Sequence, residues 1–433
     1  MSLFIKEIVI NYCKNDMGEK MKIERKIKQE KNTIESEKKK RYATFLKRKR
    51  LEKKFTLEEV STGICTVSYL SRIENNLVDV DESYFISLFK KFNIDFNSLK
   101  EEKENEIFNE LIKCYLSDDD EKAISIITNA LQTNYYVDLE YDLMILYDNI
   151  MKELYSEALK QILELNKKID LLLETELIFY LFLSALYAYK TYQLAFAFKQ
   201  IIVLCEMNIV YQTYRYAIFD LALDIFHHME CHEQFFKYYN LIHTDSYLSF
   251  YPESALKHQA QLIYIESITD NSNVNLILNE IKAKVNDKNK EEIEWIILKN
   301  MVKNGANVEA LVYLSDLNPT PRLIALESIL VLGTSEESFV KSLMQRRKQV
   351  NFRITDQCFE LMYDVCISIK CNNDYLTAYD LMKKILIVQN KTTRFSFFLN
   401  IQINIFIEIA LKCGRYKDGL KIIQLIFKEK KLI

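Results

Sequence analysis

His227, His228, Cys231 and His232 are the one local cluster of metal-ligand side chains in this 433-residue chain. His228 and His232 stand four apart, so one helix face could present both imidazoles to a zinc ion. No Glu occupies the place that an HExxH metalloprotease gives its general base, and the stretch falls at a helix turn, so no metal is expected. No Ser-His or Cys-His arrangement has a local signature, and five His offer little acid-base material. Neither GxGxxG nor GxxxxGK[ST] occurs. No enzyme, and no cofactor, is expected.

The other chemistry the residues offer is charge. Between Lys20 and Lys54 there are sixteen Lys or Arg against five Glu, a balance of +11, so the remainder carries −14 to reach the total of −3. Such a head displaces counterions from nucleic-acid phosphates, or is simply a solvated basic helix. Lys47, Arg48, Lys49 and Arg50 are the expected phosphate contacts.

What decides between the two is the stretch that must position them, residues 41–99, which parses into five short helices. Phe45, Leu46 and Leu51 supply apolar positions in the first. Thr56-Leu-Glu-Glu59 is a capping box that opens the second. Gly63 follows as a left-handed cap and Ile64 as a buried anchor. The third helix runs from near Thr66 to Glu74; Leu70 and Ile73 face inward, leaving Thr66, Val67, Ser68, Tyr69, Ser71 and Arg72 on or near the outer face. Asp79 or Asp81 caps the fourth, where Phe85, Leu88, Phe89 and Phe92 recur at helical spacing.

This stretch resembles the Xre or phage-repressor type of helix-turn-helix domain, whose T-x-E-E-L-A and G-I-S-x-S-Y-L-S-[KR]-I-E-N-G pattern reads here as Thr56-L-E-E-V-S and Gly63-I-C-T-V-S-Y-L-S-R-I-E-N-Asn76. Leu57 stands where the pattern usually has Gln, the turn is one residue short, and Asn76 replaces the closing Gly. The resemblance implies a third helix in the major groove of double-stranded DNA, with Thr66, Val67, Ser68, Tyr69, Ser71 and Arg72 as the DNA-binding residues. Arg72 is the only cation among them, suited to guanine or phosphate.

Six Gly and three Pro in 433 residues are too few for the hairpins and bulges of a sheet protein, so the fold is all-α. Beyond Leu99 a mark recurs at the second helix of helix pairs: Asp120–Ala123, Tyr155–Ala158, Tyr192–Ala195, Tyr375–Ala378 and Tyr416–Gly419. The spacing is near the ~34 residues of tetratricopeptide repeats. Degenerate pairs around 213–242, 252–286, 290–316 and 320–347 bring the array at 104–433 to about nine hairpins. The expected architecture is a five-helix helix-turn-helix domain at 41–100 followed by a right-handed α-superhelix, with residues 1–40 a basic extension.

A groove that takes an extended peptide must pair its backbone with side-chain amides, and Asn149, Gln212, Asn300, Asn400 and Asn404 are the candidates, although the favoured reading of each taken alone is a solvated surface residue. The whole layout resembles the Firmicutes peptide-pheromone-receptor regulators (Rgg, PlcR, PrgX, NprR) and the related phage arbitrium receptors. That resemblance implies a homodimer on operator DNA whose geometry shifts when a short linear peptide enters the repeats, as in quorum sensing. The alternative is a tetratricopeptide-like scaffold for a protein partner without peptide control. The longest apolar window, Leu177 to Tyr189, is too short for the ~20 residues of a membrane span. With no secretory signal and nine scattered Cys lacking any CxxC pair, a cytoplasmic location with reduced thiols is expected.

Overall fold

The computed structural model describes residues 34–96, 106–132, 138–267, 273–392 and 396–430, and among these every regular element is helical. The basic extension before residue 34 and the end of the helix-turn-helix stretch at 97–99 lie outside the described residues. Four helices open the chain: α1 Ile34–Glu52, α2 Leu57–Ser61, α3 Val67–Glu74 and α4 Glu82–Lys90. The first begins at Ile34, inside the segment set apart as an extension.

Helical hairpins follow. They pair α5 Glu106–Ser117 with α6 Asp120–Gln132, α7 Asp138–Met151 with α8 Tyr155–Lys167, and α9 Glu174–Lys190 with α10 Leu194–Glu206. Next come α11 Gln212–His228 with α12 His232–Ile242, a short α13 Asp245–Phe250, and α14 Pro252–Glu266 with α15 Val274–Lys282. The last four pairs are α16 Asp287–Lys303 with α17 Asn307–Ser315, α18 Pro321–Leu332 with α19 Glu337–Arg347, α20 Gln357–Lys370 with α21 Tyr375–Thr392, and α22 Ser396–Lys412 with α23 Tyr416–Lys430. Pro321 opens α18 directly after the Thr320 cap, where its missing N–H costs nothing.

Seven of the hairpin turns share one geometry. Asp118, Glu153, Tyr192, Glu230, Gly305, Asn373 and Gly414 all adopt left-handed φ, each two residues before the second helix. The next residue's N–H then reaches back to an orphan carbonyl of the first helix, as in Leu154 to Asn149, Gln193 to Ala188, Cys231 to Phe226, Ala306 to Met301 and Arg415 to Ala410. The fourth residue of the second helix is then small and buried in Ala123, Ala158, Ala197, Ala310 and Ala378, and Gly419 takes the same place in α23. In the third hairpin this corrects the sequence expectation. Tyr192 is the left-handed turn residue, so α10 starts at Leu194 and buries Ala197, while Ala195 is half-buried.

The chain divides into two compact units, and the division falls within α9 rather than between the helix-turn-helix and the hairpins. Among the described residues, those up to Cys114 and those within Asp120–Leu183 form the first unit, and Tyr115–Asp119 with those from Ser184 onward form the second. In the first, Leu46, Val60, Leu70, Ile73, Phe85, Leu88 and Phe89 make the core of the helix-turn-helix, and Phe108 stacks on Phe179 at 4.4 Å among the hairpins. In the second, Trp295 packs against Phe397 and Phe398, and Tyr379 stacks on Phe406. Among the described residues no helix is long and apolar enough to cross a membrane.

Candidate nucleic-acid interface

The turn between α2 and α3 is fixed by local chemistry. The Thr56 N–H donates to Glu59 Oε2 at 2.7 Å, and the Glu59 N–H returns to Thr56 Oγ1 at 3.2 Å, closing the capping box. These bonds from Thr56 hold the Glu59 carboxyl below its ordinary range. Gly63 takes φ +78°, a conformation that L side chains rarely adopt. The Ser61 carbonyl then accepts from the N–H groups of Ile64 and Cys65, and Lys91 Nζ donates to the carbonyls of Glu59 and Thr62. Ile64, expected to be buried, is half-buried against the core.

Thr66 caps α3 by accepting from the Tyr69 N–H at 3.2 Å, and Leu70 and Ile73 are fully buried against Val60 and the α4 phenylalanines. Thr66, Val67, Ser68 and Arg72 are exposed on the opposite face. Tyr69 and Ser71 are half-buried, and the Tyr69 ring leans edge-on against Tyr84 at 5.4 Å, so its phenol belongs to the packing between α3 and α4. Asp81, not Asp79, caps α4, while Asp79 pairs with Lys39.

The four cations expected on phosphate are all engaged by the protein itself. Arg48 is 2% exposed and donates through Nη1 to Glu176 Oε1 at 2.7 Å. Burial works against its charge, but Glu176, with Glu52 and Glu140, outweighs it and raises the guanidinium pKa further. Arg50 grips Glu74, Lys47 bonds the Asn75 side chain, and Lys49 reaches Glu52. The charge run pointed outward in the sequence because the partners of Arg48, Arg50 and Lys47 lie on other elements. Among the described residues, Lys53 and Lys54, just past the end of α1, are exposed cations of this run, and Arg72 is that of α3.

The five candidate amides lie on four helices, α7, α11, α16 and α22. Asn149 donates to Gln161 of its own hairpin at 2.8 Å. Gln212 is exposed and donates to the Tyr216 hydroxyl. Asn300 is buried, its Nδ2 on Asn275 Oδ1 at 2.9 Å and its own Oδ1 without a hydrogen-bond partner. Asn400 and Asn404 are exposed on α22. Among the described residues no hydrogen bond joins any two of the five.

Within the second unit lies a buried ionic network that sequence reasoning did not find. Asp220 and Asp224, one turn apart on α11, face Lys257, His258 and Gln261 of α14. Lys257 Nζ lies 2.8 Å from Asp224 and 3.6 Å from Asp220, Gln261 Nε2 donates to Asp224 at 2.7 Å, and the hydroxyls of Tyr115 and Tyr247 donate to Asp220 at 3.2 Å each. Beside it Glu292 accepts from Arg322 at 3.2 Å and lies 3.3 Å from His228. Burial pushes the Glu292 carboxyl up, but His228 and Arg322 bring it down to about 2. Lys299 contacts His227 at 3.3 Å, and burial lowers its ammonium to about 8. The signal lay in the sequence: two Asp four apart inside Tyr216–Phe226, an otherwise apolar helix, require buried cations opposite.

Among the described residues no three His, Cys, Asp or Glu are grouped to hold a metal ion. His227 and His228 serve the ionic network, and the Cys231 thiol donates to the Met229 carbonyl. Burial pushes the thiols of Cys205, Cys358 and Cys366 up to about 12, so none of these three is a ready nucleophile.

No curated protein and no solved structure matches the chain. The Helix-turn-helix family model matches residues 46–99, from within α1 to beyond α4, and that segment is what the chain shares with a DNA-binding type of regulator.

Proposed function

We propose that the protein is a transcriptional regulator that reads duplex DNA in the major groove through α3. The observation that carries this reading is the exposure of Thr66, Val67, Ser68 and Arg72 on a helix whose opposite face, Leu70 and Ile73, is fixed in a core. Hydroxyl groups, methyl groups and one guanidinium are the groups that read base edges, and Lys53 and Lys54 add exposed charge within the same helix-turn-helix. Selection from a randomised duplex library, followed by anisotropy titration of the enriched duplex across a salt series, tests it. Salt-dependent, sequence-selective binding supports the reading; no duplex binding at low salt contradicts it and favours a scaffold for a protein partner.

The finer reading is a homodimer that holds two half-sites and responds to a short linear peptide in the hairpin region. It is supported by the layout of one helix-turn-helix before many hairpins, and by amide oxygens with no protein partner in the second unit. Asn300 Oδ1 and Gln261 Oε1 are buried acceptors left over, the groups that a peptide N–H requires. Native mass spectrometry of the purified chain checks both parts: a dimer carrying a small peptide mass supports the reading, and a bare monomer contradicts it.

A further inference from the structure

The Arg48–Glu176 pair raises a question that stability does not answer. Both side chains are almost fully buried, at 2% and 1% exposure, and they join α1 of the helix-turn-helix to the first turn of α9 within one compact unit. Two charges withdrawn from water gain little over an apolar pair of the same volume. What they add is direction, because a guanidinium and a carboxylate bond well only over a narrow range of geometry.

The direction is fixed at both ends. Glu176 Oε2 accepts from the Leu173 N–H at 2.9 Å, which locks the carboxylate to the start of α9. Arg48 Nε holds Glu52 Oε1 at 3.1 Å, which locks the guanidinium along α1. Two residues further on, Arg50 holds Glu74, the last residue of α3, and Lys47 Nζ donates to Asn75 Oδ1 just beyond it. The segment 47–50 is therefore gripped by the hairpins through one side chain and by the DNA-reading helix through two others. Helix α1 also packs on the short turn Ile169–Leu171 that leads into α9. A rotation or one-turn slip of α1 would leave Arg48 and Glu176 buried and unpaired, so the pair selects a single seating of the helix.

We infer that Arg48 and Glu176 are positioning residues, which set the orientation of the DNA-reading helix relative to the hairpins of the first unit through α1. The inference rests on α3 as the reader, but its test needs no DNA. Ketone-reactive labels, introduced as p-acetylphenylalanine at the exposed Ser87 of α4 and Ser156 of α8, report the distance distribution between the two parts by pulsed electron resonance without touching the native cysteines.

The full-length chain is expected to give one narrow distribution, and Glu176→Gln and Arg48→Gln each to widen it at least twofold. A Glu176→Gln distribution as narrow as that of the parent overturns the inference. If the single variants lose helical signal, the apolar pair R48M/E176M takes their place in the measurement: a widened distribution supports positioning by the ion pair, and a narrow one overturns it. A chain that binds no duplex while showing these widths would sink the proposed function and leave this inference standing.

Discussion

Arg50 and Glu74 meet fork to fork: Nε bonds Oε1 and Nη2 bonds Oε2, both at 2.8 Å, while Nη1 reaches the Phe55 carbonyl at 3.1 Å. One guanidinium thus joins α1, the turn into α2 and the end of α3. The carboxylate of Glu74 is nearly inaccessible to water, at 3% side-chain exposure, and Arg50 supplies both of its oxygens with a donor. Its bonding with Arg50 raises the arginine pKa, although burial opposes that.

Arg50→Ala strands the Glu74 carboxylate and is expected to destabilise the helix-turn-helix by about 3 kcal/mol. Arg50→Lys should recover less than half of that, since an ammonium cannot form the double bond. Urea unfolding followed by circular dichroism checks both; equal stability of the Ala and parent chains would show that the pair contributes nothing.

The salt dependence of DNA binding separates surface charge from internal charge. Neutralising Lys53 and Lys54 to Gln should flatten the slope of log K against log salt by roughly 0.9 for each phosphate that the protein then leaves unneutralised. A conservative change at buried Arg48 should leave that slope as it is, because its side chain cannot reach a phosphate. A slope insensitive to both lysines would remove this edge from the interface.

The helix-turn-helix was legible because its signals are local. Thr56 with Glu59, Gly63, Thr66 and Asp81 each act within three or four residues, and all are seen where the sequence puts a cap or turn. The fate of Arg48 was not legible, because its partner is 128 residues away. The hairpin turns were obscured for another reason. Five of the seven left-handed positions are Asp, Glu, Tyr, Glu and Asn rather than Gly, tolerated at roughly 1 kcal/mol each by the bonds they make available. The shift from Ala195 to Ala197 follows from that, since the Tyr at 192 reads as a helix residue until its φ is known. The Asp220 and Asp224 network needed the pairing of α11 with α14, which no local pattern specifies.

Gly419 lets α23 approach α22. A Cβ built there would lie 3.1 Å from Ala410 Cβ and 3.7 Å from the Phe406 ring. Gly419→Ala should therefore destabilise the C-terminal hairpin by about 1 kcal/mol despite the better helix propensity of Ala. Combining it with Ala410→Gly should cost less than the two single changes summed, a coupling that a double-mutant cycle reads directly. Simple additivity would mean that the two helices separate freely.

Acid should loosen the second unit. Burial, reinforced by His258, lowers His243 to about 4, and burial also holds His227 and His232 below the ordinary imidazole range. These side chains stay neutral when folded and take up protons when unfolded, so stability falls as pH drops from about 6.5 toward 4. The urea midpoint should be lower at about pH 5 than at about pH 7.5, on either side of the ordinary imidazole pKa, and His243→Gln should reduce that difference. A midpoint that does not change over this range would contradict the assignment.

The central claim is that the exposed face of α3 reads DNA, and one comparison tests it most directly. The enriched duplex is titrated by anisotropy with the parent chain and with the Arg72→Ala, Ser68→Ala double variant, whose altered side chains are both exposed and leave the buried Leu70 and Ile73 untouched. The variant is expected to bind more weakly by about 1–3 kcal/mol for each base edge it no longer reads, with unchanged helical content. Binding of the same duplex with the affinity and selectivity of the parent would contradict the account, because α3 would then not be the reader.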